Sequence, residues 1–152
     1  MSTVLNKKAS HDYFFLEKFE AGIVLSGAEV KSLKAGNASL ADSFVRVVKS
    51  EAFLVNAHIS PYKMAVNAAY DPKRERKLLL NKKEIDFLRG KLSSSSLTIV
   101  PTKVYTKHNL VKVEVALAKA KKKVDKRETL KKKELEREAQ AALRESKLKA
   151  QQ

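Results

Sequence analysis

The chain of 152 residues has no cysteine and no tryptophan, three prolines and four glycines. Lack of cysteine removes disulfides, thiol nucleophiles and Cys-ligated zinc together. The four glycines, Gly22, Gly27, Gly36 and Gly90, are too scattered to form a phosphate-cradling loop. No apolar run approaches the roughly 18 residues needed to cross a bilayer, and the N-terminus lacks the apolar stretch of a signal peptide. These absences predict a cytoplasmic protein with no membrane partner. Acidic side chains are also scarce, with 17 Asp/Glu against 32 Lys/Arg and a net charge of +15. An excess of that size is the electrostatic footprint of a nucleic-acid binder.

The last part of the chain differs in kind from the rest. Residues 119–152 contain no Gly, Pro or aromatic residue, and hold 13 Lys/Arg against 6 Asp/Glu. Such a segment has too few large apolar groups to build a core, so something outside the chain must order it. The expected division is a body over 1–118 and a basic tail over 119–152. Asp125-Lys126-Arg127-Glu128 has the form of a helix start, and Ala139, Ala141, Ala142 and Leu143 favour helix. Opposing this, Lys131-Lys132-Lys133 lies against the helix dipole, and Lys133/Arg137 and Glu134/Glu138 are like-charge pairs four apart. The tail is therefore predicted to be disordered when free and helical when bound to RNA.

The body reads as short strands with two well-capped helices. His11 to Leu16 and Gly22 to Leu25 are rich in strand formers. Ser26-Gly27-Ala28-Glu29 has the form of a capping box, Leu25 and Val30 form a hydrophobic staple across it, and Gly36 marks the helix end. Phe44 to Val48 and Ala52 to Ile59 are predicted to form a hairpin, with Phe53, Val55, Ala57 and Ile59 on one face. A second helix is predicted to begin at Asn81, with Glu84 completing its box, and to stop at Gly90. Leu97 to Val104 and Leu110 to Leu117 are expected to be strands turning at Lys107-His108-Asn109, where Asn accepts a positive φ. Six or so strands in hairpin pairs predict a mainly β fold, an OB-like antiparallel barrel with short flanking α-helices.

Nothing in the chain forms a catalytic or metal-binding constellation, so no cofactor or metal is expected and the protein is not expected to be an enzyme. His11, His58 and His108 have no ligand spacing, and capping accounts for Glu29 and Glu84. Basic groups are better placed for function. Asp71 to Lys77 holds Lys73, Arg74, Arg76 and Lys77, which read as a loop able to reach several phosphates. Lys103, Lys107 and Lys112 bracket the last hairpin and extend the same patch, and Asn6 and Lys7 precede the first strand. Most of Tyr13, Phe14, Phe15 and Phe19 are expected in the core, with room for one exposed ring to stack on a base. No apolar heptad predicts a dimer, so a monomer is expected.

Several ordered segments together resemble the small protein B family, also called the SsrA-binding proteins. They are Phe19-Glu20-Ala21-Gly22-Ile23-Val24-Leu25, Ala28 to Gly36, Phe53-Leu54-Val55, Ile59-Ser60-Pro61, Asp71-Pro72, Arg76 to Asn81, Val111 to Glu114 and Asp125 to Glu128. The resemblance spans nearly the whole chain and implies an OB-like barrel that binds the tRNA-like part of transfer-messenger RNA. It also implies delivery of that RNA to stalled ribosomes, with the tail in the vacant mRNA channel beside small-subunit ribosomal RNA. On the RNA side it implies roles for Glu20, Leu79 and Asn81. In the tail it points to Lys121, Lys122, Lys123, Asp125, Lys126 and Arg127, with the following Lys131, Lys132 and Lys133 read as part of the same ribosome-binding segment. The chain departs from the family pattern at Ala120, where Gly is common, at Val124, where His or an aromatic residue is common, and in Ser93 to Ser96, which lacks the usual Gly. The alternative that the residues leave open is a generic ribosome-associated RNA-binding protein or RNA chaperone.

Overall fold

A computed structural model describes residues 3–64, 69–93 and 96–150, the side chains of 123–126, 128–130 and 145–150 excepted. The chain forms two compact units, Met1–Ala120 and Lys121–Gln152.

In the first unit, β1 (Val4–Leu5) and α1 (Lys7–Asp12) lead into β2 (Tyr13–Ile23), followed by α2 (Gly27–Lys34) and β3 (Ala38–Ser39). Next come β4 (Phe44–Val48), β5 (Glu51–Val55), β6 (His58–Ile59), β7 (Arg76–Leu79), α3 (Lys82–Leu92), β8 (Leu97–Lys107) and β9 (Leu110–Ala120). Seven strands form one sheet in the order β1-β8-β9-β2-β7-β5-β4, while β3 and β6 pair separately. Every pairing is antiparallel. Because β4 packs against β8, the sheet curls back on itself as a small barrel with short helices outside, which is the OB-like class. Ala21, Leu54, Leu78, Ile99, Val113 and Val115 fill its interior.

Local chemistry accounts for the connections. Ser26 and Glu29 form the reciprocal capping box of α2, and Gly36 (φ 77°) ends the helix in the left-handed conformation. Asn81 and Glu84 form the box of α3. His108 (φ 51°) and Asn109 (φ 63°) make the β8–β9 turn, a pair of positive φ values that matches the twist of the flanking strands.

Four sequence-based expectations are corrected. His11 and Asp12 end a helix rather than open a strand, and β2 is one continuous strand of 11 residues, bulged between Phe15 and Glu17. The expected strand over Ala52 to Ile59 is broken at Asn56 (φ 67°), which resets the alternation: Ala52 and Leu54 point inward before it, Ala57 and Ile59 after it. Helix α3 runs through Gly90 to Leu92, because Leu92 packs on the core while Gly90 faces open space. Arg76 to Leu79, at the end of the expected basic loop, is a strand.

In the second unit α4 (Lys123–Ala150) is a single helix. Its described side chains from 131 to 144 are all exposed, so that stretch has no buried stripe of its own.

Candidate nucleic-acid interface

The outer surface of four adjacent strands, β8-β9-β2-β7, collects most of the body residues singled out from the sequence. Period-two alternation sends Val104 and Val113 inward and Lys103, Tyr105, Lys107 and Lys112 outward. On β7 the same rule buries Arg76 and Leu78 and presents Lys77 and Leu79. Register then aligns these groups. Tyr105 pairs with Lys112, Lys112 with Gly22, and Gly22 with Leu79, giving one row across all four strands. A second row joins Lys103, Glu114 and Glu20. Gly22 leaves room for this approach: a Cβ there would lie 3.2 Å from the Leu79 Cβ, and Leu79 would have to give by a few tenths of an ångström. Beside this row an open groove of about 240 Å³ is lined by Leu25, Leu79, Asn109, Leu110 and Lys112 among others.

Glu20, like Glu114 in the same row, is acidic on an otherwise cationic face, and it is the more exposed of the two. Its Oε2 accepts from the Tyr105 hydroxyl at 2.5 Å and lies 3.4 Å from Lys107 Nζ. The Tyr105 hydrogen bond, with Lys107 and Lys112 nearby, draws the Glu20 carboxyl below its usual range. Burial, then Glu20 itself, pushes the Tyr105 phenol up to about 12, so the phenol remains a donor at neutral pH. Lys103 Nζ lies 5.3 Å from the Tyr105 ring centroid, a cation–π contact that braces the ring.

Three of the expected RNA contacts, Arg76, Arg74 and Asn6, are engaged within the fold instead. Arg76 is wholly buried: Nε donates to Glu29 Oε2 at 2.6 Å, Nη1 to the Ala57 carbonyl at 2.7 Å, and Nη2 to the Pro72 carbonyl and Tyr70 hydroxyl. No guanidinium so enclosed can meet a phosphate. Arg74, partly exposed, pairs with the other Glu29 oxygen. Burial would raise the Glu29 carboxyl, but Arg74, the Ser26 amide and Arg76 outweigh it and hold the group at about 2. Glu29 is therefore more than a helix cap: it is the anion at the centre of a buried cluster. Asn6, only 4% exposed, caps α1 by accepting from the Ala9 amide and donates to the Leu40 and Pro101 carbonyls. Its fixed partners remove it from the candidate surface.

The remaining expected residues fall in several places. Asn81 caps α3 just beyond Leu79, and Lys7 is exposed on α1. Lys77 is exposed and lies 3.8 Å from Glu51. In the tail segment Lys122, Arg127, Lys131, Lys132 and Lys133 are exposed, Lys121 is half-buried, and the side chains of Lys123, Asp125 and Lys126 are outside the described residues, as is that of Val124. Tyr13 and Phe15 pack with Ala9, Val100 and Ala118 beneath α1, and Phe19 packs on the main core, which leaves Phe14 as the exposed ring. Tyr105 is the residue that sequence reasoning missed. Continuing the alternation of Lys103 and Lys107 through it was the available signal. Among the described residues there is no group of three His, Cys, Asp or Glu able to hold a metal, and no helix long and apolar enough to cross a membrane.

A small OB-like barrel whose strands gather lysines, an aromatic ring and exposed apolar groups on one open face is a basic β-barrel of the kind that binds nucleic acid. The chain belongs to the SmpB protein family, whose model matches residues 3–145. An SsrA-binding protein of Sulfurihydrogenibium sp. is 55% identical over 139 residues, covering 91% of both chains. Another, from Geotalea uraniireducens, is 56% identical and covers 92% of this chain and 93% of its own. Among solved structures, a chain reported under "tmRNA-SmpB: a journey to the center of the bacterial ribosome" matches with a TM-score of 0.69 and 42% identity, covering 86% of this chain and 95% of that one.

Proposed function

We propose that this chain is a non-enzymatic adaptor that binds the tRNA-like part of transfer-messenger RNA and delivers it to stalled ribosomes for trans-translation. The observation that carries the RNA-binding part is the aligned outer face of β8-β9-β2-β7, where Lys77, Lys103, Lys107 and Lys112 surround Glu20, Tyr105 and Leu79. Lysines supply sequence-independent attraction to phosphate, and the exposed apolar groups offer surface to unstacked bases. The likeness to SsrA-binding proteins and to a ribosome-bound SmpB supports the choice of RNA and of the ribosome as partner. Bound to ribosomes, the adaptor works in the cytoplasm as a monomer.

The tail has a separate task. With 13 basic residues and no buried stripe among its described side chains, it lays the exposed lysines of α4 along ribosomal RNA in the empty mRNA channel. Truncation before Lys119 tests this: binding to transfer-messenger RNA should persist while tagging on stalled ribosomes is lost, and unimpaired tagging would contradict it.

Binding to transfer-messenger RNA in excess ordinary tRNA, over a range of salt, tests the function as a whole. Preference retained at high salt is the expected result. Equal binding that collapses with salt would describe a generic RNA chaperone instead.

A further inference from the structure

Glu20 poses a problem that the lysines around it do not solve. A carboxylate on a surface that meets phosphates is repelled by them unless the RNA returns a hydrogen-bond donor. The structure already assigns its two oxygens different roles. Tyr105 and Lys107 both converge on Oε2, and among the described residues no donor is placed on Oε1. The donor that fixes Oε2 comes from β8, two strands away across β9, and its ring is braced by Lys103. The Glu20 side chain is 37% exposed, so Oε1 is within reach of a bound molecule.

We propose that Tyr105 is a positioning residue: by holding Glu20 through Oε2, it presents Oε1 to an N–H or O–H donor of the bound RNA. This inference rests on the reading of the β8-β9-β2-β7 face as the RNA site. RNA offers such donors as ribose 2′-hydroxyls, the Watson–Crick edge of guanine and the exocyclic amines of adenine and cytosine. Phosphates offer none, so the pair contributes selectivity where the lysines contribute attraction. A carboxylate already fixed by the protein also loses less rotamer freedom on binding. The raised Tyr105 phenol and lowered Glu20 carboxyl fit this arrangement, since one remains a donor and the other an anion at neutral pH.

The test is a double-mutant cycle on the full chain with transfer-messenger RNA, using Tyr105→Phe, Glu20→Ala and the pair, with melting temperature and salt dependence recorded for each. Tyr105→Phe is expected to weaken binding roughly fivefold with an unchanged salt slope, because no phosphate contact is lost. In the Glu20→Ala background the same change is expected to have no further effect. Equal loss in both backgrounds, or no loss with Glu20 intact, would overturn the positioning role. If Glu20→Ala and a triple Lys103, Lys107, Lys112→Ala variant both bind like the parent, the face itself is not the RNA site and the inference fails with it.

Discussion

The body and the tail are both rich in lysine and arginine, yet they use the charge differently. In the body many cations have assigned partners: Arg74 and Arg76 hold Glu29, Arg46 holds Glu75, Lys77 lies near Glu51 and Lys107 near Glu20. In the tail helix, the side chains from 131 to 144 are exposed and none of those described is in an ion pair. The difference teaches that net charge measures potential, while strand direction decides which cations are left for a partner. Within β7 a single step along the chain separates the two fates: Arg76 is buried structure and Lys77 is surface.

The largest expected effect comes from breaking the inward half of that contrast. Arg76→Ala leaves Glu29 buried without its fully buried partner, and loss of one member of a buried pair costs about 3–5 kcal/mol. Urea denaturation should show the midpoint falling by a corresponding amount, whereas a surface role for Arg76 would leave it nearly unchanged. The same cluster fixes a pH dependence. The Glu29 carboxyl ionises normally near 4.5 and is held at about 2 in the fold. Below pH 4.5 the unfolded chain takes up the proton first, so this contribution is complete above that pH and declines as pH falls toward 2. Denaturation curves from pH 6 to 2 should show that loss in the parent and a smaller one in Glu29→Gln, whose stability at neutral pH is already lower.

Breaking the outward half should spare stability and change binding. Replacing Lys103, Lys107 and Lys112 with Ala should weaken RNA binding by roughly tenfold per lost phosphate contact at low salt, and flatten the salt slope by about one for each. An unchanged slope would show that these lysines do not meet phosphate. Asn6→Ala sharpens the contrast from the other side: losing the α1 cap and two buried hydrogen bonds should cost about 1–3 kcal/mol with RNA affinity unaffected. The smallest effect belongs to Gly90→Ala, which should raise stability by about 0.5–1 kcal/mol, since it faces open space inside a helix. Thermal melts resolve both changes.

Much of the fold was legible because it is written in local chemistry. The two capping boxes, the positive-φ turn at Asn109 and the alternation through Val113 and Val115 need only neighbours in sequence. Helix α1 escaped notice because it has six residues and a single buried one, Ala9, and its cap Asn6 is held by carbonyls of Leu40 and Pro101 far along the chain. Strand β7 escaped because four residues with two cations read as a loop until their partners on β2 and β5 are known. The fate of Arg76 was illegible for the same reason, as its carboxylate lies 47 residues away. For the candidate site, the outward lysines followed from alternation, but the rows that join Glu20 to Tyr105 and Gly22 to Leu79 depend on register, which no single segment specifies.

The most direct measurement is lysine acetylation footprinting of the full chain, free and saturated with transfer-messenger RNA. Protection should concentrate on Lys77, Lys103, Lys107 and Lys112, with the exposed Lys131, Lys132 and Lys133 still reactive until ribosomes are added. Protection centred on the tail or on α1, with the barrel lysines unchanged, would contradict the assignment of the β8-β9-β2-β7 face to RNA.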